Sequence, residues 1–226
     1  MLSREDFSRE RIDLLREHAA KLDQTWVITH EERDASRHEA TKHLRKGQAV
    51  WVFGYGSLMW NPAFHVAQTA RARIYGYHRA FCLSLTFGRG SPEKPGLMLG
   101  LESGGSCVGM AHKIAPKNVS SELEILWMRE MLGGTYIPKW LNAELPNGKK
   151  QRVLTFIANK SHLRYIGTQP FKKSAKRIAT SEGYLGDNRT YLYNTIEGMD
   201  ELGIGDGSLH RLEHEVRRIA KEPRSN

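Results

Sequence analysis

Between residues 49 and 159 the sequence is a succession of strand-like runs with a single helix among them. That proportion restricts the fold more than any other feature. The runs are AVWVF, RARIYGYHRAFCLSLTF, LMLGLES, SCVGMAHKI, TYIPKWLNAEL and QRVLTFIAN. Most of them carry β-branched or aromatic residues, and each meets glycine, proline or asparagine at one end or both, the pattern of strands. Gly104-Gly105 reads as a hairpin turn between the third and fourth runs, and PNGKK joins the last two. A parallel α/β sheet needs a crossover, usually a helix, between successive strands, and this segment has no βαβ alternation. The expected fold class is therefore α+β, with a mixed or antiparallel sheet closed into a barrel-like shape and helices flanking it.

Helices are expected on both sides of the strand block and once within it. Ser3 with Asp6 marks a helix start, followed by Ile12, Leu14, Leu15, Ala19 and Leu22 at helical spacing. A second, polar helix runs through EERDASRHEATKHLRKG and closes at Gly47. Residues 1–48 are thus read as a helical N-terminal extension and 49–226 as the main domain. Within the block, PKNVSSELEILWMREMLGG is a helix with Ser120 or Ser121 as its cap and Gly133 as its stop. Beyond Pro170 the pattern is helical, with one helix before Gly183, one from Asp187 and one through SLHRLEHEVRRIAKE.

Charge and cysteine content narrow the function classes. The formal net charge is +9. Three basic clusters carry much of it: Lys149, Lys150 and Arg152; Lys172, Lys173, Lys176 and Arg177; Arg217, Arg218, Lys221 and Arg224. Aromatic residues are not interleaved with them, so they read as solvated faces that attract small anions, with no specific nucleic-acid partner. No run approaches the ~20 apolar residues of a membrane helix. The mixed-charge start, MLSREDFSRERIDLL, has no signal-peptide core. Cys82 and Cys107 lie in apolar runs and are expected reduced and buried, which makes the cytoplasm the default location.

Val50–Trp60, VWVFGYGSLMW, joins an apolar strand to a segment that is almost all backbone. A dinucleotide fingerprint requires a third glycine where Met59 stands, and a P-loop requires Gly-Lys-Ser/Thr after a longer spacing. A nucleophile elbow would need glycines at the positions of Tyr55 and Met59 around Ser57. The Gly-Tyr-Gly of a potassium filter belongs in a membrane. Two readings stand. One is a tight turn with no ligand. The other is a nest of backbone N–H groups that holds a carboxylate or oxyanion, with glycines admitting close approach.

Glu130 is the second candidate. Leu123, Leu126, Trp127 and Met131 form an apolar stripe, and Glu130, four after Leu126 and three after Trp127, shares it, whereas Arg129 and Glu124 point elsewhere. Burial and the negative end of the helix would both raise its pKa, which is how a general base is made. The alternative is a glutamate salt-bridged to a core-edge arginine such as Arg79.

Taken in order, FGYGSLMWNP, GYHRAFCL, KPGLMLGLESGGSCVGMAHKI, LWMREMLGGTYIPKW and GYLGDNRTYLYNTI resemble the ChaC-like γ-glutamylcyclotransferases over about residues 50 to 205. TYIPKW after the helix resembles the bacterial branch. The resemblance implies a compact barrel-like cyclotransferase fold with one pocket. It also implies action on γ-glutamyl peptides, in this branch glutathione, with release of 5-oxoproline and Cys-Gly. It makes Glu130 the general base and Val52, Phe53, Gly54, Tyr55, Gly56 and Ser57 the substrate loop. The family's Asn-x-x-Tyr pattern falls on Asn188 and Tyr191, and its arginine after the loop, structural in character, on Arg79.

The chemistry fits these residues. The substrate's α-amine attacks its own γ-amide carbonyl, so proximity supplies much of the acceleration and no protein nucleophile, metal or cofactor is required. Glu130 would take the ammonium proton, and backbone donors from Gly54 to Leu58 would hold the α-carboxylate or the developing oxyanion. Tyr191, ahead of Tyr184, is a candidate hydrogen-bond donor to substrate. His210 and His214 share a helix face but lack the further ligands of a metal site. Two rivals remain: a cyclotransferase for γ-glutamyl-amino acids or γ-glutamylamines, and a non-catalytic basic binding module on the same fold.

Overall fold

The computed structural model describes residues 3–21 and 26–221; Leu22 and Arg224, named above, lie outside them. The described chain divides into two compact units. The first comprises residues up to His78 together with Ser103–Asn159, and the second comprises Arg79–Glu102 and the chain from Lys160 onward. The expected α+β class, with a mixed barrel, helices around it and a helical N-terminal segment, is what the chain adopts.

The barrel follows the order β1 (Val50–Gly54), β3 (Gly96–Ile114), β2 (Gln68–Leu85), β4 (Tyr136–Glu144), β5 (Lys150–Ala158). β1 lies antiparallel to β3, with Val52 opposite His112 and Gly54 opposite Met110. β4 is antiparallel to β5 throughout. A parallel contact of β1 with β5, at Val52 and Leu154, closes the barrel and makes the sheet mixed. Among the described residues, closure leaves the barrel itself without an edge strand. Val52, Phe53, Ile74, Ala111, Ile114, Val153, Leu154 and Phe156 are buried in the first unit.

Gly104-Gly105 does not turn the chain. β3 is one strand from Gly96 to Ile114, and the glycines sit inside it at φ +101° and +67°. Two successive positive-φ glycines serve a type I′ hairpin or an irregularity in a continuing strand equally well. Pairing decides between them: the neighbours of β3 are β1 and β2, so its two halves do not pair with each other.

The N-terminal segment begins with a 3-10 turn, Arg4–Phe7, closed by a capping box between Ser3 and Asp6. α1 (Arg9–Lys21) and α2 (His30–Thr41) follow. The Ser3 signal therefore caps the short turn rather than α1. α2 is capped by Thr29 with Glu32 and ends at Thr41, short of Gly47. α3 (Val119–Glu130) also starts earlier than expected: the 3-10 turn Pro116–Asn118 has already wound the chain, so neither Ser120 nor Ser121 is the cap. It stops at Glu130, where Met131 N–H bonds back to Trp127, rather than at Gly133. Leu123, Leu126, Trp127 and Met128 form its buried face, and the Trp127 ring meets Phe156 of β5 edge-on at 5.3 Å.

In the second unit, α4 (Phe171–Thr180), α5 (Asn188–Glu201) and α6 (Gly207–Ala220) pack on one another. Asp187 and Asp206 cap α5 and α6. Asn188 is fully buried, and its amide accepts from Leu97 N–H at 2.8 Å and donates to Leu97 C=O at 3.0 Å, so this side chain stands in for a neighbouring strand. Arg79 donates to Met199 Sδ and faces Asp206 at 3.7 Å. Arg177, read from sequence as part of a solvated face, instead turns inward and donates to Pro95 C=O and Ser84 Oγ. Both cysteines are free and buried. No helix among the described residues is long and apolar enough to cross a membrane.

Candidate active site

β1 runs buried into the glycine loop and ends at Gly54, where the chain folds back so tightly that a Cβ would lie 2.8 Å from Leu58 Cβ and 2.9 Å from its carbonyl carbon. Only hydrogen fits there, and this is the physical reason for the first glycine of Gly-Tyr-Gly. Ser57–Met59 then forms one 3-10 turn, with Met59 N–H donating to Gly56 C=O at 2.8 Å and Asn61 N–H to Ser57 C=O at 2.9 Å.

Neighbouring strands hold the loop from below. Tyr55 points inward and its hydroxyl donates to Phe156 C=O at 2.9 Å, while Thr155 donates to Phe53 C=O at 3.0 Å. Val52 and Phe53 are fully enclosed, so their side chains belong to the core. His112 Nε2 lies 2.9 Å from Leu58 C=O and Nδ1 lies 3.1 Å from Thr69 Oγ1. A carbonyl only accepts, so Nε2 carries the proton and Thr69 donates to Nδ1. Burial lowers the pKa of His112, which keeps the ring neutral. The register opposite Val52 is what brings His112 to the loop, and no histidine spacing in the sequence marks it.

Glu130 is the last residue of α3 and its side chain is 14% exposed. Its partner is not Arg79, which faces Asp206 in the second unit. The neighbouring Arg129, read from sequence as pointing away, places Nε 3.0 Å from Glu130 Oε1, donates from Nη2 to Ser57 Oγ at 2.7 Å, and donates from Nη1 to Asn61 C=O. One guanidinium thus joins the end of α3 to both sides of the loop turn. Helical spacing places Arg129 three after the buried Leu126, and that was the available signal. Burial raises the Glu130 pKa above the ordinary carboxylate range, and Arg129 opposes the rise in part.

Glu130, Ser57, Leu58 and the glycine turn are therefore brought together within the first unit, around Arg129. Tyr191 belongs to the second unit, on α5, where its ring stands edge-on to Phe81 at 6.0 Å. Tyr184 lies beside Phe87 at 4.7 Å. His210, expected to lack an acidic partner, has one in Asp200 at 2.9 Å. Even so, no group of three or more His, Cys, Asp or Glu among the described residues is arranged to hold a metal ion.

This half-buried, arginine-paired glutamate and the Gly-Tyr-Gly-Ser turn both lie in a stretch of sequence that matches a known family. The sequence profile described as "ChaC-like protein" matches residues 50–219. The chain belongs to the ChaC-like γ-glutamylcyclotransferase family. This ChaC-like chain is 37% identical over 202 residues to the "Glutathione-specific gamma-glutamylcyclotransferase" of Escherichia coli, covering 89% of the chain and 87% of that protein. It is 32% identical over 160 residues to the human "Glutathione-specific gamma-glutamylcyclotransferase 1", covering 69% and 72%. A crystal structure of a yeast γ-glutamyl cyclotransferase specific to glutathione is similar in fold, with a TM-score of 0.68 at 22% identity, covering 76% of this ChaC-like chain and all of that one.

Proposed function

We propose that this chain is a γ-glutamylcyclotransferase of the bacterial branch that converts glutathione to 5-oxoproline and Cys-Gly, with residues 49–226 as the cyclotransferase domain. The single observation that carries the reading is the Glu130–Arg129–Ser57 connection, which sets an enclosed carboxylate beside a backbone-rich turn. The similarity to proteins named as glutathione-specific cyclotransferases supports the choice of substrate.

In this scheme Glu130 takes one proton from the substrate α-ammonium. The freed amine nitrogen bonds to the γ-carbonyl carbon, closing a five-membered ring and moving the carbonyl electrons onto oxygen. Backbone donors of the Gly54–Leu58 turn stabilise that oxyanion or hold the α-carboxylate. Collapse of the intermediate breaks the bond to the cysteine nitrogen, which takes the proton Glu130 carries. The regenerated carboxylate then accepts the second proton of the ring nitrogen and passes it to the departing amine or solvent, leaving the neutral lactam N–H and Cys-Gly. Nucleophile and electrophile share one molecule, so the protein's task is to select the folded conformer and supply a base. Arg129 opposes the rise that burial imposes on the Glu130 pKa and so favours its ionised form.

The deciding experiment measures 5-oxoproline release from glutathione by the wild type and by Glu130→Gln, with calorimetric binding alongside. The wild type should turn over. Glu130→Gln should bind glutathione without converting it. Near-normal turnover in Glu130→Gln removes the carboxylate from the mechanism. A wild type active only on other γ-glutamyl compounds reassigns the substrate.

A further inference from the structure

The turn that follows Glu130 is held from outside the family's matched region, by the N-terminal segment. Met131 C=O accepts from Arg33 Nε at 3.3 Å, and Leu132 C=O accepts from Ile28 N–H at 3.1 Å. The Trp26 ring fills the space beside Gly133, where a Cβ would lie 2.5 Å from it. Arg33 is 1% exposed. Its other N–H groups reach Ile28 C=O at 3.0 Å and His30 Nδ1 at 2.9 Å. Burial pushes its pKa down, and a buried cation is costly compared with an apolar side chain of the same volume. An arginine here is explained by what it connects: Nε donates to Met131 C=O, just past the negative end of α3 that carries Glu130, while its other donors tie that point to Ile28 C=O and His30 in the N-terminal segment.

The same segment reaches the other side of Glu130. The Phe7 ring lies 5.5 Å from the Arg129 guanidinium, the group that pairs with Glu130 and Ser57. Arg4 bonds Glu122 in the first turn of α3, and Arg9 bonds Glu124 at 3.0 Å. The helix is gripped at its start, along its side and just past its last residue, all by residues 4–33, none of which lies in the matched 50–219.

We propose that the N-terminal segment sets the position of Glu130, with Arg33 acting as a positioning residue on the turn after α3 and Phe7 as one on Arg129. The proposal rests on reading Glu130 as the base. A displacement of about 1 Å at a reacting group costs on the order of 100-fold in rate. The loss falls on kcat rather than KM, because substrate is held by the loop and the base acts in the transition state.

The test uses full-length wild type, Glu130→Gln, Arg33→Gln, Arg33→Lys, Phe7→Leu and Phe7→Tyr, each assayed with glutathione well below its unfolding temperature. Arg33→Gln should lose roughly 10- to 100-fold in kcat with KM within about twofold, and Arg33→Lys should recover part of the loss. Phe7→Leu keeps the apolar bulk but not the ring face, so it should lose a few-fold in kcat, and Phe7→Tyr should restore it. A folded Arg33→Gln with wild-type kcat, or with its defect in KM alone, overturns the proposal. If Arg33→Gln does not fold, equal kcat for the two Phe7 variants overturns it. An inactive wild type or an active Glu130→Gln instead defeats the reading of Glu130 as base, and the positioning proposal with it.

Discussion

Glu122 offers a stability measurement whose size follows from its contacts. It is 2% exposed, yet it receives Arg4 through both Nη atoms, His65 N–H at 2.9 Å and His65 Nδ1 at 2.9 Å. Burial alone would raise its pKa. The Arg4 side chain, then the His65 backbone and ring, outweigh that and hold it at about 2 against an ordinary 4.5. At 1.36 kcal/mol per tenfold, the difference corresponds to about 3 kcal/mol of stability near neutrality. Because the folded pKa lies below the unfolded one, protons favour the unfolded chain. The contribution is full above about pH 4.5, shrinks as pH falls, and is gone below about pH 2. Roughly half of it should survive at pH 3. Glutamine does not titrate, so urea unfolding of wild type and Glu122→Gln at pH 7 and pH 3, followed by tryptophan fluorescence, isolates the term. The gap between the two proteins should narrow by about 1–2 kcal/mol on going to pH 3. A gap that stays constant with pH, or widens in acid, refutes the argument.

Gly54→Val should raise KM for glutathione and destabilise the protein by about 1–3 kcal/mol, because the added Cβ meets the Leu58 backbone and forces the turn open; unchanged kinetics in a folded variant would take the loop out of the site. In the wild type, kcat/KM should fall on the acid side at a pH above 4.5, the ordinary carboxylate value, since burial raises Glu130 and only its ionised form accepts the proton. Arg129→Met should move that acid limb higher still, since the guanidinium opposes the rise; a limb that stays put or moves down would mean that another group titrates.

Most of the architecture was legible because it depends on short-range patterning. The strand pattern of β1, β4 and β5 and the breaks between the C-terminal helices follow from side-chain period, cap residues and turn chemistry acting over a few positions. Gly54 and Glu130 were conspicuous for the same reason: one marks backbone with no room for a side chain, and the other places a carboxylate on an apolar face. Errors arose where one local signal has two uses. Gly104-Gly105 suits a hairpin or a distorted strand, and Ser120 and Ser121 are good caps on a helix that a 3-10 turn had already begun.

By itself the sequence determined the α+β class, the glycine turn and the carboxylate at the end of a helix. Each is written in residues that are neighbours along the chain. Only the tertiary structure decided which groups meet. Arg129 joins Ser57 across 72 positions, His112 reaches Leu58 across 54, and Arg33 grips Met131 across 98. Such encounters depend on strand register and on the direction each long side chain takes, neither of which has a period in the sequence. The raised pKa of Glu130 belongs to the same level: burial lifts it and one guanidinium restrains it, and both are products of packing.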